Sequence, residues 1–310
     1  MGVILLSDLE IGLEYTKEDI ENILIKPKIN KSIGRIRGIV PIYLDEEQKE
    51  KIIILFSGVS ELYDDKREGA TLYYIGEQKP GHDQRIKYNN KSLADANVDN
   101  STIYVFENVK ETKKWTYLGI FELQDIIEDK DDDNLRIYIF QLEKTPFEDQ
   151  EDIKKEIDIF KESTTSEPKI EEGEPERISS SVLRRESIFR KEIKNAYNKT
   201  CAICGKRRLN MVGNPEVEAA HILSKKLKGP DHPQNGVSLC RLHHWAFDNG
   251  LLSIDNNYRV IIKDEIKKDK NHEEIYKYEG NQIRLPENKR YWPHLGCLKK
   301  HRDIHGFDKV

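Results

Sequence analysis

Short apolar runs dominate the first half of the chain and predict β-strands there. Each run is rich in Ile, Tyr, Phe and Val, and clusters of Gly, Asp and Asn separate it from the next. A short amphipathic helix at 16–26 precedes them, and its Thr16 and Asp19 have the spacing of a capping box. The pattern favours a compact, mainly antiparallel β-sheet or barrel. The predicted strands are 33–44, 51–58, 70–77, 101–109, 114–123 and 134–143.

Helical periodicity replaces the strand pattern after residue 147. An amphipathic segment spans 151–161, and a polar, acidic stretch with Pro, Gly and Ser follows at 163–181. Helical spacing returns at 179–198, where apolar residues recur every four positions from Phe189 to Tyr197 behind a serine N-cap. The expected fold class is α+β, with a mainly antiparallel sheet or barrel first and a small α+β domain second. The predicted first domain, linker region and second domain are 1–147, 148–181 and 182–310.

The net charge of −5 over 310 residues hides a strong asymmetry. From Leu183 to the end there are 26 Lys and Arg against 16 Asp and Glu, which leaves 25 basic and 40 acidic residues before that point. The second domain is therefore basic. A basic domain fits a polyanionic partner such as DNA, because Lys and Arg supply phosphate contacts. A solvated, lysine-rich surface without a partner would have the same composition.

No segment of the sequence has the length of a membrane span. The apolar patch from Val3 to Leu6 is too short for the hydrophobic region of a signal peptide, and Asp8 and Glu10 follow it. We therefore expect a cytoplasmic protein without a membrane partner. Thiols stay reduced in that compartment, so the cysteines are expected to bind metal rather than to form disulfides.

Three of the four cysteines lie in two short pairs with metal-ligand spacing. Two residues separate Cys201 from Cys204, and two separate Cys240 from His243. Two such turns complete a tetrahedron of thiolate and imidazole ligands that suits Zn²⁺, and with no open position the zinc would be structural. The other interpretation is three buried, unpaired cysteines. Only one of the adjacent His243 and His244 can face this zinc.

Around these pairs, polar residues follow one another in the order His, Asn, His. They lie in VEAAHI (217–222), QNGVSLC (234–240) and HHWAFDNGLLSID (243–255). In order and spacing these stretches resemble the HNH (ββα-metal) nuclease family over residues 198–262. The resemblance implies metal-dependent hydrolysis of phosphodiester bonds. By the family pattern, His221 would be the general base and Asn235 would brace the loop. His244 and Asp248 would be the two ligands of a catalytic Mg²⁺ or Mn²⁺.

One position departs from the pattern of that family. Some members carry a metal-binding Asp directly before the general base, whereas this chain has Ala220 there. Either His244 and Asp248 suffice to hold the metal, or another group such as Glu218 contributes.

A second resemblance concerns the predicted sheet domain. Residues 57–96, with GRIRGI before them and VFENV and YLGIF after them, resemble the SRA (YDG) family over about 31–145. Members of that family read a modified base by flipping it out of the duplex into a pocket. By this resemblance Asp65 would hold the edge of the base, while Tyr74 and Tyr63 would stack on its faces.

The residues of this base pocket also have a plainer interpretation. Many family members have Thr after the stacking Tyr, whereas this chain has Ile75. Without the resemblance, Asp65 is an ordinary turn former and Tyr74 an ordinary strand residue.

Together the two resemblances indicate an SRA-HNH modification-dependent (type IV) restriction endonuclease, an enzyme of antiphage defence. The expected partner is double-stranded DNA that carries 5-methylcytosine or 5-hydroxymethylcytosine, cut near the modified base. Cutting both strands with one metal site per chain implies a homodimer. Two alternatives stay open. One is an HNH nuclease whose first domain senses another modification or a ligand, and the other is a DNA-binding protein that does not cut.

Overall fold

Two units make up the chain, and each has its own secondary structure. The computed structural model describes residues 6, 9–24, 38–43, 51–60, 63–108, 114–147, 150–169 and 179–307. The first unit comprises residues 1–153 and 210–214, and the second comprises residues 154–209 and 215–310.

A large, mainly antiparallel sheet forms the first unit. In the described part of the chain its strands run in the order β2-β3-β7-β8-β9-β6-β5, with β1 paired to β8 and β4 paired to β3. Only β3 and β7 pair in parallel there. The strands and helices are β1 (Glu14–Thr16), α1 (Lys17–Leu24), β2 (Gly38–Tyr43), β3 (Lys51–Ser60), β4 (Tyr63–Asp64), β5 (Lys66–Glu68), β6 (Thr71–Ile75), α2 (Tyr88–Ala94), β7 (Thr102–Asn108), β8 (Lys114–Lys130) and β9 (Arg136–Lys144).

The centre of this sheet lies at β3 and β7. Four consecutive residues of β3, from Ile52 to Leu55, are fully buried, so both faces of the sheet are covered there. The core on one face contains Ile53, Phe140 and Tyr74, and Val212 from the segment 210–214 belongs to the same cluster. The aromatic and β-branched composition that predicted the strands is also the composition that fills this core.

The predicted strands are confirmed, and one of them is longer than expected. β8 reaches Lys130 instead of residue 123, because its polar end pairs with β9 in a hairpin closed at Asn134, which has a left-handed φ of 62°. The apolar pattern ends where the hairpin leaves the core, so it did not reveal this extension. The predicted strand residues 33–37, 44 and 109, and the predicted helix residues 25 and 26, lie outside the described residues.

The predicted capping box begins α1. Thr16 N donates to Asp19 Oδ2 at 2.8 Å, and Asp19 N donates to Thr16 Oγ1 at 3.2 Å. These reciprocal bonds satisfy two backbone donors that a helix start leaves without partners, and the bonds from Thr16 lower the pKa of Asp19.

The second unit is built from short helices and two small antiparallel hairpins, β10 with β11 and β12 with β13. With the large sheet of the first unit, these elements confirm the α+β class. None of the helices within the described ranges is both long and apolar enough to cross a membrane. The elements are α3 (Gln150–Ser163), α4 (Ser180–Ala196), β10 (Glu218–His221), β11 (Gly236–Leu239), α5 (Arg241–Asp248), β12 (Leu252–Ile254), β13 (Val260–Ile262), α6 (Asp264–Lys267), α7 (Glu273–Tyr276) and α8 (Leu295–His305).

Helix α4 supports the hairpin that carries much of the functional site. It begins after Ser179, whose Oγ accepts from Val182 N at 3.4 Å, as the predicted serine N-cap requires. Phe189 and Ile193 are fully buried. Gly236 starts β11 against them, and a Cβ at Gly236 would lie 2.5 Å from Ile193 Cδ1. The missing side chain at Gly236 therefore lets helix and hairpin approach each other closely.

Candidate functional site

A cluster of four ligand side chains joins two turns of the second unit. The ligand atoms of Cys201, Cys204, Cys240 and His243 all lie within 4.8 Å of one another. Gly205, with a left-handed φ of 69°, lets the chain turn so that its N–H donates to Cys201 O at 2.9 Å. The second pair lies at the start of α5, where Cys240 is the N-cap residue. Local turns therefore bring each predicted pair into one ligand set.

The orientation of His243 fits metal binding through Nδ1. This nitrogen lies 3.1 Å from Cys240 Sγ and 3.6 Å from Cys201 Sγ, while Nε2 lies 3.3 Å from Glu274 O. A carbonyl that accepts from the second ring nitrogen fixes the tautomer of a ligand histidine. Hydrogen bonds from Cys201 and Cys240 lower the pKa of the Cys204 thiol, which favours the thiolate form that binds metal. The set suits tetrahedral zinc, and it indicates that the protein uses metal.

The neighbouring His244 points to a different group of side chains. Its Nδ1 lies 2.7 Å from Glu218 Oε2, and its Nε2 lies 3.3 Å from Asp248 Oδ2. His244 and Asp248 are one helical turn apart on α5, whereas Glu218 starts β10. The two adjacent histidines thus serve separate clusters, the first made of sulfur ligands and the second of carboxylates.

A cleft of about 540 Å³ opens beside this second cluster. Glu218, His221, His244 and Asp248 line it together. The basic side chains that also line it are Arg190, Lys194, Lys225 and Arg241. Three of the four predicted catalytic side chains therefore face one cavity, whose lining carries both basic side chains and the acidic Glu186 and Glu216.

His221 closes β10 and is held on two sides. Its ring stacks on Phe189 of α4, with the centroids 3.9 Å apart and the planes 11° from parallel. Its Nε2 lies 2.9 Å from Asp231 Oδ1, and the side chain of Asp231 is only 3% exposed. Asp231 Oδ2 accepts from Lys225 Nζ at 2.6 Å. Burial is the largest single influence on Asp231 and opposes its ionisation, but the bonds from His221 and Lys225 outweigh it, so that the pKa of Asp231 is lowered.

Asn235, the fourth predicted catalytic residue, is fully buried and does not line the cleft. Its Oδ1 accepts from Leu223 N at 2.9 Å, and its Nδ2 donates to Leu223 O at 3.1 Å and to Pro230 O at 3.0 Å. These bonds tie the chain that leaves His221 to the loop that carries Asp231. Gly229 makes this close approach possible, because a Cβ there would lie 1.5 Å from Leu223 O.

Asp231 is the site residue that the sequence reasoning missed. It lies in a loop between Pro230 and Pro233, ten residues after His221, and no periodic pattern connects the two. An isolated Asp beside prolines is typical of a turn, so its sequence neighbourhood offers no signal for a contact with a histidine. Glu218 differs in this respect, because the absence of Asp at Ala220 had already raised it as an alternative ligand.

The predicted base-pocket residues lie in the first unit. Asp65 accepts from Ser57 Oγ at 2.9 Å, from Gly58 N at 3.3 Å and from Ile75 N at 2.9 Å, so its carboxylate links β3 to β6. Tyr74 is 4% exposed and belongs to the core cluster. The side chain of Tyr63 lies outside the described part of the structure.

Comparison with protein families identifies the class of enzyme. Residues 201–255 match the family model of the HNH endonucleases. This stretch contains the zinc-type cluster, His221, Asn235, His244 and Asp248. The chain therefore carries an HNH endonuclease domain and is a DNA-hydrolysing enzyme, as the sequence predicted.

A solved structure with a similar fold is the modification-dependent TagI restriction endonuclease. The similarity covers 96% of this chain and 94% of that one, with a TM-score of 0.56 and 18% sequence identity. The SRA domain of SUVH5, solved with fully methylated CG DNA, matches 48% of this chain and 97% of its own length, with a TM-score of 0.38 and 18% identity. A search of curated protein sequences found no match. At the level of fold, nearly the whole chain resembles that restriction endonuclease, and residues 201–255 match the HNH model.

Proposed function

We propose that this protein is a modification-dependent DNA endonuclease that reads a modified cytosine with its first unit and cuts nearby with its second. The observation that carries the proposal is the cleft of the second unit. There, a histidine held by an aspartate and a carboxylate–imidazole cluster face the same cavity. Phosphodiester hydrolysis needs a base for the attacking water and a positive centre for the phosphate. The histidine can supply the base, and the carboxylate–imidazole cluster would supply the positive centre by holding a divalent cation.

In this proposal His221 is the general base. Its Nε2 is engaged by Asp231, whereas its Nδ1 has no hydrogen-bond partner among the described residues. Nδ1 takes a proton from water, the water oxygen bonds to phosphorus, and the bond from phosphorus to the 3′ oxygen breaks. A neutral imidazole is suited to this task near pH 7. The stacking on Phe189 keeps the ring plane fixed while the proton moves.

Glu218, His244 and Asp248 are the proposed ligands of the catalytic metal. Oxygen donors with one imidazole fit a hard divalent cation such as Mg²⁺ or Mn²⁺. When bound, that ion would neutralise the charge that develops on the scissile phosphate and on the leaving oxygen. Glu218 would take the place of the metal-binding Asp that some family members carry at the position of Ala220. Its Oε2 already lies 2.7 Å from His244 Nδ1. We propose three protein ligands rather than two on the basis of this contact.

The basic side chains of the cleft are the proposed contacts for the DNA backbone. Arg190 and Lys194 project from α4, and Arg241 begins α5. Phosphate contacts of this kind position the duplex without reading its sequence. In this proposal, selectivity for modified DNA then comes from the first unit.

The proposed reader is the sheet of the first unit. The similar fold of a restriction endonuclease that is itself described as modification-dependent supports this assignment. We propose that a flipped modified cytosine is held at Asp65, with Tyr74 and Tyr63 as its stacking partners. Because Tyr74 is covered by the core, stacking on it requires local opening of the sheet. We propose one catalytic site of this type per chain, so cutting of both strands is proposed to involve a homodimer.

A cleavage assay with matched duplexes tests the proposal. The full chain is incubated with Mg²⁺ or Mn²⁺ and with duplexes of one sequence that are unmodified, 5-methylated or 5-hydroxymethylated. Cutting of modified duplexes alone supports the whole proposal. Equal cutting of all three contradicts the reader, and Asp65→Asn should then have no effect on selectivity. Binding without any cutting would instead favour a DNA-binding protein with an inactive cleft.

A further inference from the structure

Asp231, whose side chain is buried, forms an ion pair with Lys225 beside the proposed general base. Asp231 Oδ1 lies 2.9 Å from His221 Nε2, and Asp231 Oδ2 lies 2.6 Å from Lys225 Nζ. The side chain of Asp231 is 3% exposed, whereas that of Lys225 is 40% exposed. The aspartate therefore has no role as a surface charge, and each of its two oxygens has one defined partner.

We infer that Asp231 is a positioning residue for DNA hydrolysis, one that fixes His221 in the tautomer with hydrogen on Nε2 and the lone pair on Nδ1. A carboxylate only accepts hydrogen bonds, so its contact with Nε2 requires that Nε2 carries the proton. Nδ1 is then the only ring nitrogen that can receive a proton from water. This inference rests on the proposed function of His221 as the base.

The carboxylate also stabilises the charge that the reaction creates. When Nδ1 accepts the proton, the ring becomes an imidazolium, and Asp231 lies within direct hydrogen-bond distance of it. The hydrogen bonds from His221 and Lys225 together lower the pKa of this buried carboxylate. The same logic explains why a histidine base in an enzyme is commonly paired with a buried carboxylate.

A double-mutant cycle distinguishes positioning of His221 from simple support of the loop. Asp231→Asn keeps the size and shape of the side chain, but its amide N–H can donate to Nε2. This contact favours the tautomer of His221 with hydrogen on Nδ1. We expect kcat for cleavage to fall roughly 100-fold, with KM for the duplex within about threefold of wild type. In a His221→Ala background the same change should have no further effect on the residual rate, since Asp231 acts only through that ring.

Two further variants separate the catalytic effect from stability. Lys225→Gln removes the ion pair but leaves the contact between Asp231 and His221, so a loss below about tenfold is expected. Asp255→Asn is the matched control, because Asp255 Oδ1 accepts from the backbone N–H groups of Asn257 and Arg259, at 2.8 Å each, rather than from a histidine. Equal losses in Asp231→Asn and Lys225→Gln would show that the ion pair merely supports the loop, and would overturn the inference.

Nuclear magnetic resonance of ¹⁵N-histidine-labelled protein provides a readout that needs no catalysis. The His221 signals are assigned by their absence in His221→Ala. Wild type should show the tautomer with hydrogen on Nε2, and Asp231→Asn should shift the population toward hydrogen on Nδ1. An unchanged tautomer together with wild-type kcat would overturn the inference. If the wild-type protein cut no duplex at all while showing the expected tautomer, the proposed nuclease function would fail instead.

Discussion

Glu218 Oε2 lies 2.7 Å from His244 Nδ1, although 26 residues separate the two in sequence. The antiparallel hairpin of β10 and β11 creates this proximity, because it brings Glu218 opposite Leu239, directly before α5 begins. The carboxylate thereby reaches the cleft from the strand side while Asp248 reaches it from the helix. The imidazole of His244 therefore lies between two carboxylates that come from two secondary-structure elements.

Neutralising Glu218 should weaken the binding of the catalytic metal. Glu218→Gln keeps the volume but removes a charged oxygen ligand, so the Mn²⁺ concentration for half-maximal cleavage is expected to rise roughly 10- to 100-fold. A titration of the cleavage rate with Mn²⁺ measures this shift. Glu216→Gln serves as the control, because the nearby Glu216 pairs with Arg208 at 2.7 Å. An unchanged metal requirement would mean that His244 and Asp248 suffice.

Adding one methyl group at Gly229 should destabilise the loop of the catalytic site. In Gly229→Ala the new Cβ would start 1.5 Å from Leu223 O, a backbone atom that cannot move without breaking its bond to Asn235. We expect a loss of about 2–4 kcal/mol in the free energy of unfolding, measured by urea denaturation, together with a lower cleavage rate. Gly280→Ala is the control. No atom lies within 4 Å of a Cβ there, so only its φ of 74° opposes the change, at a cost of about 1 kcal/mol.

Removal of the zinc-type ligand set should unfold part of the second unit. We expect one zinc per chain by elemental analysis, and loss of that zinc in Cys204→Ser. The Tm should fall by roughly 10 °C or more in this variant and after treatment of wild type with a strong chelator. Cys297→Ala should retain zinc, because Cys297 lies apart from the cluster and burial raises the pKa of its thiol to about 12. Retention of zinc by Cys204→Ser would show that the metal is held elsewhere.

The buried His301 should make the folded protein less stable as the pH falls, beginning at pH values above those at which most carboxylates take up protons. Burial, with help from His305, lowers the pKa of His301 from 6.5 to about 3, and the ring is fixed between Ser253 Oγ at 2.8 Å and Phe247 O at 3.2 Å. The unfolded chain takes up a proton below pH 6.5, whereas the folded chain does not until about pH 3. The free energy of unfolding should therefore fall with decreasing pH across this window, by at most about 1.4 kcal/mol per pH unit.

Urea denaturation at pH 7 and pH 5 measures that slope. His301→Gln should be less stable at pH 7 but should show a smaller difference between the two pH values than wild type. His272→Gln is the control, since His272 is partly exposed and lies near Asp269 on the surface. A slope in His301→Gln equal to that of wild type would place the titrating group elsewhere.

Local patterns predicted those parts of the protein in which a few neighbouring residues decide the outcome. The capping box of Thr16 and Asp19, the serine cap of α4, and the two ligand pairs around Cys201 and Cys240 all have this character. In each case a turn or helix start leaves only one geometry for side chains two or three residues apart. The HNH motif was recognisable for the same reason, because its spacing reflects one hairpin and one helix.

Other features depend on chain segments that meet only in the folded protein. The parallel pairing of β3 with β7 joins residues 50 positions apart, as in Ile52 with Thr102, and no local signal marks it. The strand pattern around Tyr74 predicts two alternating faces but not which of them the core covers. Tyr74 is on the covered face, so its role with a flipped base stays a prediction.

The amino-acid sequence by itself determined the α+β class, the zinc-type ligand set and the nuclease motif, since each is encoded in short-range spacing. Only the tertiary structure decided that Asp231 holds His221 and that Glu218 reaches His244. These contacts arise from close packing, at Gly229 against Leu223 and at Gly236 against Ile193, where the absence of a side chain lets two backbones approach. The spacing of residues along the chain does not predict such distances, because they depend on how separate secondary-structure elements pack together.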